Sequence, residues 1–99
     1  MMDTFQELIQ SNTPVLVDFY ADWCGPCKAM NPVIREVAKA TEGKARVIKI
    51  DIDKSVQAAQ AHQVQAVPTF IIFKNGNIVW RHPGMIDKQS LLQVLQQHA

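Results

Sequence analysis

Cys24 and Cys27 are the only cysteines in a chain of 99 residues, and they stand close together in Trp23-Cys24-Gly25-Pro26-Cys27. At that spacing two thiols can cycle between dithiol and disulfide, the second attacking any mixed disulfide that the first has formed. An apolar run, Val15-Leu16-Val17-Asp18-Phe19-Tyr20, leads into the motif, and a helical pattern beginning near Cys27 leads out of it. A strand that hands over to a helix in this way puts Cys24 at or just before the helix N-terminus. Unpaired backbone N–H groups and the positive end of the helix dipole favour a thiolate there. Gly25 permits a tight turn, and Pro26 fixes φ in the first helical turn, where no N–H is needed. The alternative chemistry is half a zinc site. Zinc takes four ligands, usually with a second close pair. His62, His82 and His98 are scattered without ligand spacing and read as surface residues, so redox exchange is the stronger reading.

The elements that must hold the motif follow from periodicity and punctuation. Asp3 is placed to cap a first helix with Gln6 completing a capping box; Phe5, Leu8 and Ile9 fall at helical spacing, and Ser11-Asn12-Thr13-Pro14 stops it. Residues 15–20 are almost continuously apolar, as a strand covered on both faces would be, with Asp18 as the exception. After the motif, Cys27, Met30, Ile34, Val37 and Thr41 share one helical stripe, Pro32 interrupts the hydrogen bonding, and Gly43 closes the helix. A second strand covers Arg46–Ile52. Residues 54–63 suggest a short helix capped by Ser55 or Asp53. Ala66-Val67-Pro68-Thr69 reads as a turn and Phe70-Ile71-Ile72-Phe73 as a third strand. Asn75-Gly76 is a hairpin turn, Ile78–Arg81 returns antiparallel, and His82-Pro83-Gly84 breaks that strand. Asp87 caps a last helix that buries Leu91, Leu92 and Leu95.

Composition limits the function classes. Ninety-nine residues with 47% hydrophobic and 19% charged content suit one globular domain over 1–99. A net charge of +1 argues against nucleic acid or an anionic membrane as the main partner. No apolar run approaches the roughly 20 residues that span a bilayer. The first residues show neither a basic nor an apolar leader region, which points to a cytoplasmic location.

The chain from Val15 to Leu95 resembles the thioredoxin family. The likeness rests on Val-Asp-Phe-Tyr-Ala-Asp-Trp-Cys-Gly-Pro-Cys-Lys at 17–28, Ile-Asp-Ile-Asp at 50–53, Val-Pro-Thr at 67–69 and Phe-Lys-Asn-Gly at 73–76. A bare Cys-x-x-Cys is weak, but in this company it is specific. The resemblance implies an α/β fold, a mixed sheet of about four strands between helical layers, with the family's first strand absent. It implies catalysis by Cys24 and Cys27, with Asp18 as the buried acid beneath the second cysteine and Lys49 as the lysine that tunes it. On the residues alone, Asp18 at a frayed strand end and Lys49 solvated on an edge strand are the ordinary alternatives. Pro68 matches the family's cis-proline, although sequence alone favours trans. Trp23, Gly25, Pro26, Val67, Pro68, Pro83, Gly84 and Met85 would form an apolar substrate rim, with the Val67 backbone pairing to an extended segment.

The expected activity is protein-disulfide reduction with no bound cofactor beyond the redox-active Cys24–Cys27 disulfide. Disulfide-containing proteins would be the substrates, and a thioredoxin reductase drawing on NADPH the partner that restores the dithiol. A dedicated oxidant or isomerase is one alternative, though Gly-Pro between the cysteines resembles the reductases. A thioredoxin-like binding subunit is another. His82-Pro83 before the glycine, Ala66 and Trp80 depart from the family's usual residues and leave partner choice open. With the first strand absent, Arg46–Ile52 would be a sheet edge guarded by Lys44, Arg46, Lys49 and Asp51, in a monomer.

Overall fold

The computed structural model describes residues 4–99. Asp3, the expected first cap, lies outside them. The elements are α1 (Thr4–Leu8), β1 (Val15–Tyr20), α2 (Gly25–Ala40), β2 (Arg46–Asp51), α3 (Val56–Ala61), β3 (Thr69–Lys74), β4 (Asn77–Pro83) and α4 (Lys88–Gln97). They follow the order that periodicity predicts. Among the described residues the strands form one mixed sheet in the order β2-β1-β3-β4, with β1 parallel to β2 and antiparallel to β3.

Central position explains why β1 and β3 read as apolar runs: both are buried along nearly their whole length. Alternation then splits their side chains between two cores. Leu16, Phe70 and Ile72 meet Met30, Ile34 and Val37 of α2 and Leu91, Val94 and Leu95 of α4. Val15, Val17, Phe19, Ile71 and Phe73 meet Phe5 and Ile9 on the opposite face. The turn Asn75-Gly76 has positive φ at both residues, as a two-residue hairpin requires. Its N–H groups donate to the carbonyls of Ser11 and Ile9, tying the hairpin to the segment before β1.

Several expectations are corrected. The fourth strand runs on through His82 and Pro83, which pair with Phe70 and Thr69, and breaks only at Gly84, where φ is +92°. The outer strand tolerates Pro83 because an edge position needs no N–H there. The second strand ends at Asp51, one residue early, because Asp51 turns inward and accepts the Asp53 N–H at 2.8 Å. Strand β2 is an edge, but Asp51 is thereby removed from its guard, leaving exposed Lys44, Arg46 and Lys49. Ser55 occupies the N-cap of α3 without a side-chain bond, and Asp53 does not cap it. Thr41 is the C-cap of α2 rather than part of its stripe, with its hydroxyl donating to the Val37 carbonyl. Leu92 is only partly buried, and Val94 takes the inward position. His62 is only partly exposed, and its ring packs with Phe5, Phe19 and Phe73.

Candidate active site

The turn after β1 delivers Cys24 to the N-cap of α2, with an extended φ of −90° and ψ of 110°. The Cys24 N–H donates back to the Ala21 carbonyl at 3.1 Å, and Pro26 lies in the first helical turn. Cys24 Sγ accepts the Cys27 backbone N–H at 3.1 Å. It therefore occupies the place of a capping oxygen, where an anion is favoured by both the hydrogen bond and the helix dipole. The two cysteines are joined as a disulfide with their Cα atoms 5.3 Å apart. Cys27 continues inward on the stripe that holds Met30, Ile34 and Val37. Exposure does not separate the two in this oxidised form, at 4% and 3%. Helix position does.

Asp18 lies on the sheet face that α2 covers, since it alternates with Leu16 of that core. Its side chain is 1% exposed and Oδ1 has no hydrogen-bond partner among the described residues. Burial raises its pKa to about 6, against a smaller lowering by the Lys49 charge. Lys49 stands opposite Asp18 in the β1–β2 register. It is exposed, donates to Asn31 Oδ1 at 2.7 Å and lies 4.4 Å from the centre of the Tyr20 ring. A cleft lined by Tyr20, Asp22, Cys27, Asn31 and Lys49 opens beside the second cysteine.

The residues expected to form a rim come from the turn before α2, its first turn, the loop before β3, and the end of β4 with the turn that follows it. Val67 packs against the pair of cysteines and Ala21, and its bond to buried Pro68 is cis. The Gly84 N–H donates to the Pro68 carbonyl at 2.7 Å, which joins the turn after β4 to the proline loop. Gly25, Pro26 and Pro83 are exposed, as are Trp23 at 69% and Met85 at 54%. Trp23 is held by its indole N–H, which donates to Asp53 Oδ2 at 2.8 Å. Neither that contact of Asp53 nor the place of Asn31 beside Lys49 is among the expectations from sequence. The second aspartate of Ile50-Asp51-Ile52-Asp53 was a visible signal; Asn31, one helical turn beyond Cys27, gave none.

Among the described residues no helix is long and apolar enough to cross a membrane, and no three His, Cys, Asp or Glu side chains gather as metal ligands would.

A family model described as Thioredoxin matches residues 1–97. Thioredoxin 1 of Nostoc sp. is 43% identical over 93 residues, covering 94% of this chain and 87% of that protein. Thioredoxin Y, chloroplastic, of Oryza sativa subsp. japonica is 46% identical over 94% of this chain, which spans 56% of that relative's length. Among solved structures, a variant thioredoxin from Halobacterium salinarum superposes with a TM-score of 0.88 at 35% identity, covering 99% of this chain and 85% of that one.

Proposed function

The chain belongs to the thioredoxin family and is a protein-disulfide reductase, and we propose that Cys24 opens each exchange and Cys27 closes it. The observation that carries this assignment is Cys24 Sγ at the N-cap of α2, accepting the Cys27 N–H. In the reduced protein the Cys24 thiolate attacks one sulfur of a substrate disulfide, forming a Cys24–substrate disulfide and releasing one substrate thiolate. Cys27 then attacks Cys24 Sγ, forming the Cys24–Cys27 disulfide and releasing the second thiolate. Two electrons pass from the protein dithiol to the substrate.

Asp18 takes the proton from the Cys27 thiol as that thiol becomes a nucleophile. Its elevated pKa suits a group that must hold and release a proton near neutrality, and water in the cleft beside Cys27 would complete the path. Lys49 limits how far the acid is raised. Trp23, Gly25, Pro26, Pro83, Gly84 and Met85 offer an apolar rim, and the Val67 backbone before Pro68 pairs with an extended substrate segment. A largely uncharged rim suits many disulfide-bearing proteins.

The same reading takes the chain as one cytoplasmic domain, monomeric, with no cofactor beyond its disulfide. A thioredoxin reductase that itself binds NADPH would return it to the dithiol. Reduction of insulin disulfides with a chemical reductant tests the cysteine roles. Cys24→Ser is expected to abolish activity, and Cys27→Ser to accumulate a mixed disulfide on Cys24. An adduct found mainly on Cys27 would reverse the assignment.

A further inference from the structure

The substrate rim includes one side chain, Met85, that projects from a short turn between β4 and α4. Three contacts pin the backbone around it. The Gly84 N–H reaches the Pro68 carbonyl at 2.7 Å, Asp87 caps α4 by accepting the Ser90 N–H at 3.0 Å, and His82 Nε2 lies 3.2 Å from the Met85 carbonyl. The first belongs to the proline loop and the second to the helix. The third comes from a residue outside the rim.

His82 is itself held. Its ring stacks on Trp80, with planes 7° apart and centroids 5.8 Å apart. Trp80 is partly buried against the core formed with α2 and α4, so the stack rests on the rigid part of the fold. The extension of β4 through Pro83 fixes the His82 backbone opposite Phe70. A carbonyl only accepts, so the proton must sit on Nε2. The neutral Nε2–H tautomer and the imidazolium both satisfy that need.

We propose that His82 is a positioning residue for substrate binding: stacked on Trp80, it clamps the Met85 carbonyl and presents the Gly84-Met85 turn to the substrate. This rests on the rim reading above. A loop already held in its bound conformation loses less freedom when substrate docks. The bond is exposed, and one hydrogen bond of this kind is worth about threefold to tenfold in an equilibrium constant. The effect should fall on binding of a protein substrate and spare the sulfur chemistry.

The test is single turnover of the pre-reduced full chain with insulin and with bis(2-hydroxyethyl) disulfide, a neutral molecule too small to need the rim. Wild type is compared with His82→Ala, His82→Gln and Met85→Asp, all checked for an intact thermal transition. His82→Ala should raise the half-saturating insulin concentration about threefold to tenfold with the limiting rate retained. Its rate with the small disulfide should match wild type. His82→Gln places an amide N–H near the position of Nε2 and should restore most of the insulin binding. Met85→Asp should also raise the half-saturating concentration, as the rim reading requires. If Met85→Asp weakens insulin binding and His82→Ala does not, the clamp is refuted and the rim stands. If neither variant weakens it, the rim reading itself fails. A loss in His82→Ala that is equal for both substrates, or that His82→Gln does not repair, overturns the positioning role.

Discussion

On the α2–α4 face of the sheet an acid, Asp18, is buried; on the α1–α3 face a partly buried imidazole, His62, packs against the aromatic side chains of the core. Each has a buried side-chain atom without a hydrogen-bond partner among the described residues, Asp18 Oδ1 and His62 Nε2. Burial drives both toward their neutral forms, which raises the acid to about 6 and lowers the imidazole. Nearby cations then act in opposite senses. Lys49 pulls Asp18 back toward ionisation, while Arg81, whose guanidinium donates to the His62 and Gln63 carbonyls, pushes His62 further toward neutrality. The imidazole sits edge-on to Phe73, 5.1 Å between centroids, and serves packing. The acid sits on the face shared with the cysteine helix. Desolvation thus acts on both groups, more strongly on Asp18, and the proposed proton transfer sets the acid apart because the cysteine helix stands above it.

That contrast is sharpest in the pH dependence of stability. Asp18 has a raised folded pKa, so its stabilising contribution is complete below the ordinary 3.8 and disappears as pH rises through about 6. The whole displacement amounts to roughly 3 kcal/mol. Asp18→Asn avoids that loss but keeps a buried amide. It should therefore be more stable than wild type by about 1–3 kcal/mol in denaturant melts above neutrality, with the gain shrinking in acid. Equal stability at high pH would mean that the carboxylate is fully compensated, and the contrast between the faces would fall.

The smaller effect belongs to the other face. His62 has a lowered folded pKa, so its contribution is present above the ordinary 6.5 and is lost as pH falls through the folded value. His62→Phe keeps the aromatic cluster and removes the titrating nitrogen. Because the Asp18 contribution is common to both proteins, the stability of the variant relative to wild type should rise as pH falls below about 6.5, with insulin reduction unchanged. A change in reductase activity with the fold intact would show that the packing face also serves the site.

Much of this was legible in the sequence because the relevant residues break a local pattern. Asp18 interrupts an apolar run, Cys24-Gly25-Pro26-Cys27 marks a strand-to-helix turn, and Asn75-Gly76 can hardly be other than a hairpin. The order of strands came from the resemblance, since four apolar segments do not say which are central. The ring packing of His62 could not be read: it follows a short Ala- and Gln-rich helix, and its neighbours Phe5, Phe19 and Phe73 come from three separate elements. Pro83 was read as a breaker because its edge position depends on sheet order. Asp51 and Asp53 look alike in sequence, yet one turns inward to the backbone and the other holds Trp23. Such roles depend on tertiary partners.

Transfer of the Cys27 proton to Asp18 is the proposed step that accompanies release of substrate. It is tested most directly by the rate at which Cys27 resolves the Cys24–substrate disulfide, followed by rapid acid quench over roughly pH 5–8 in wild type and Asp18→Asn. The wild-type rate should show a rise as Asp18 ionises near its pKa of about 6. The variant should lack that rise and run about tenfold to a hundredfold slower at neutral pH. Superimposable profiles would leave Asp18 as a buried acid without a part in the chemistry.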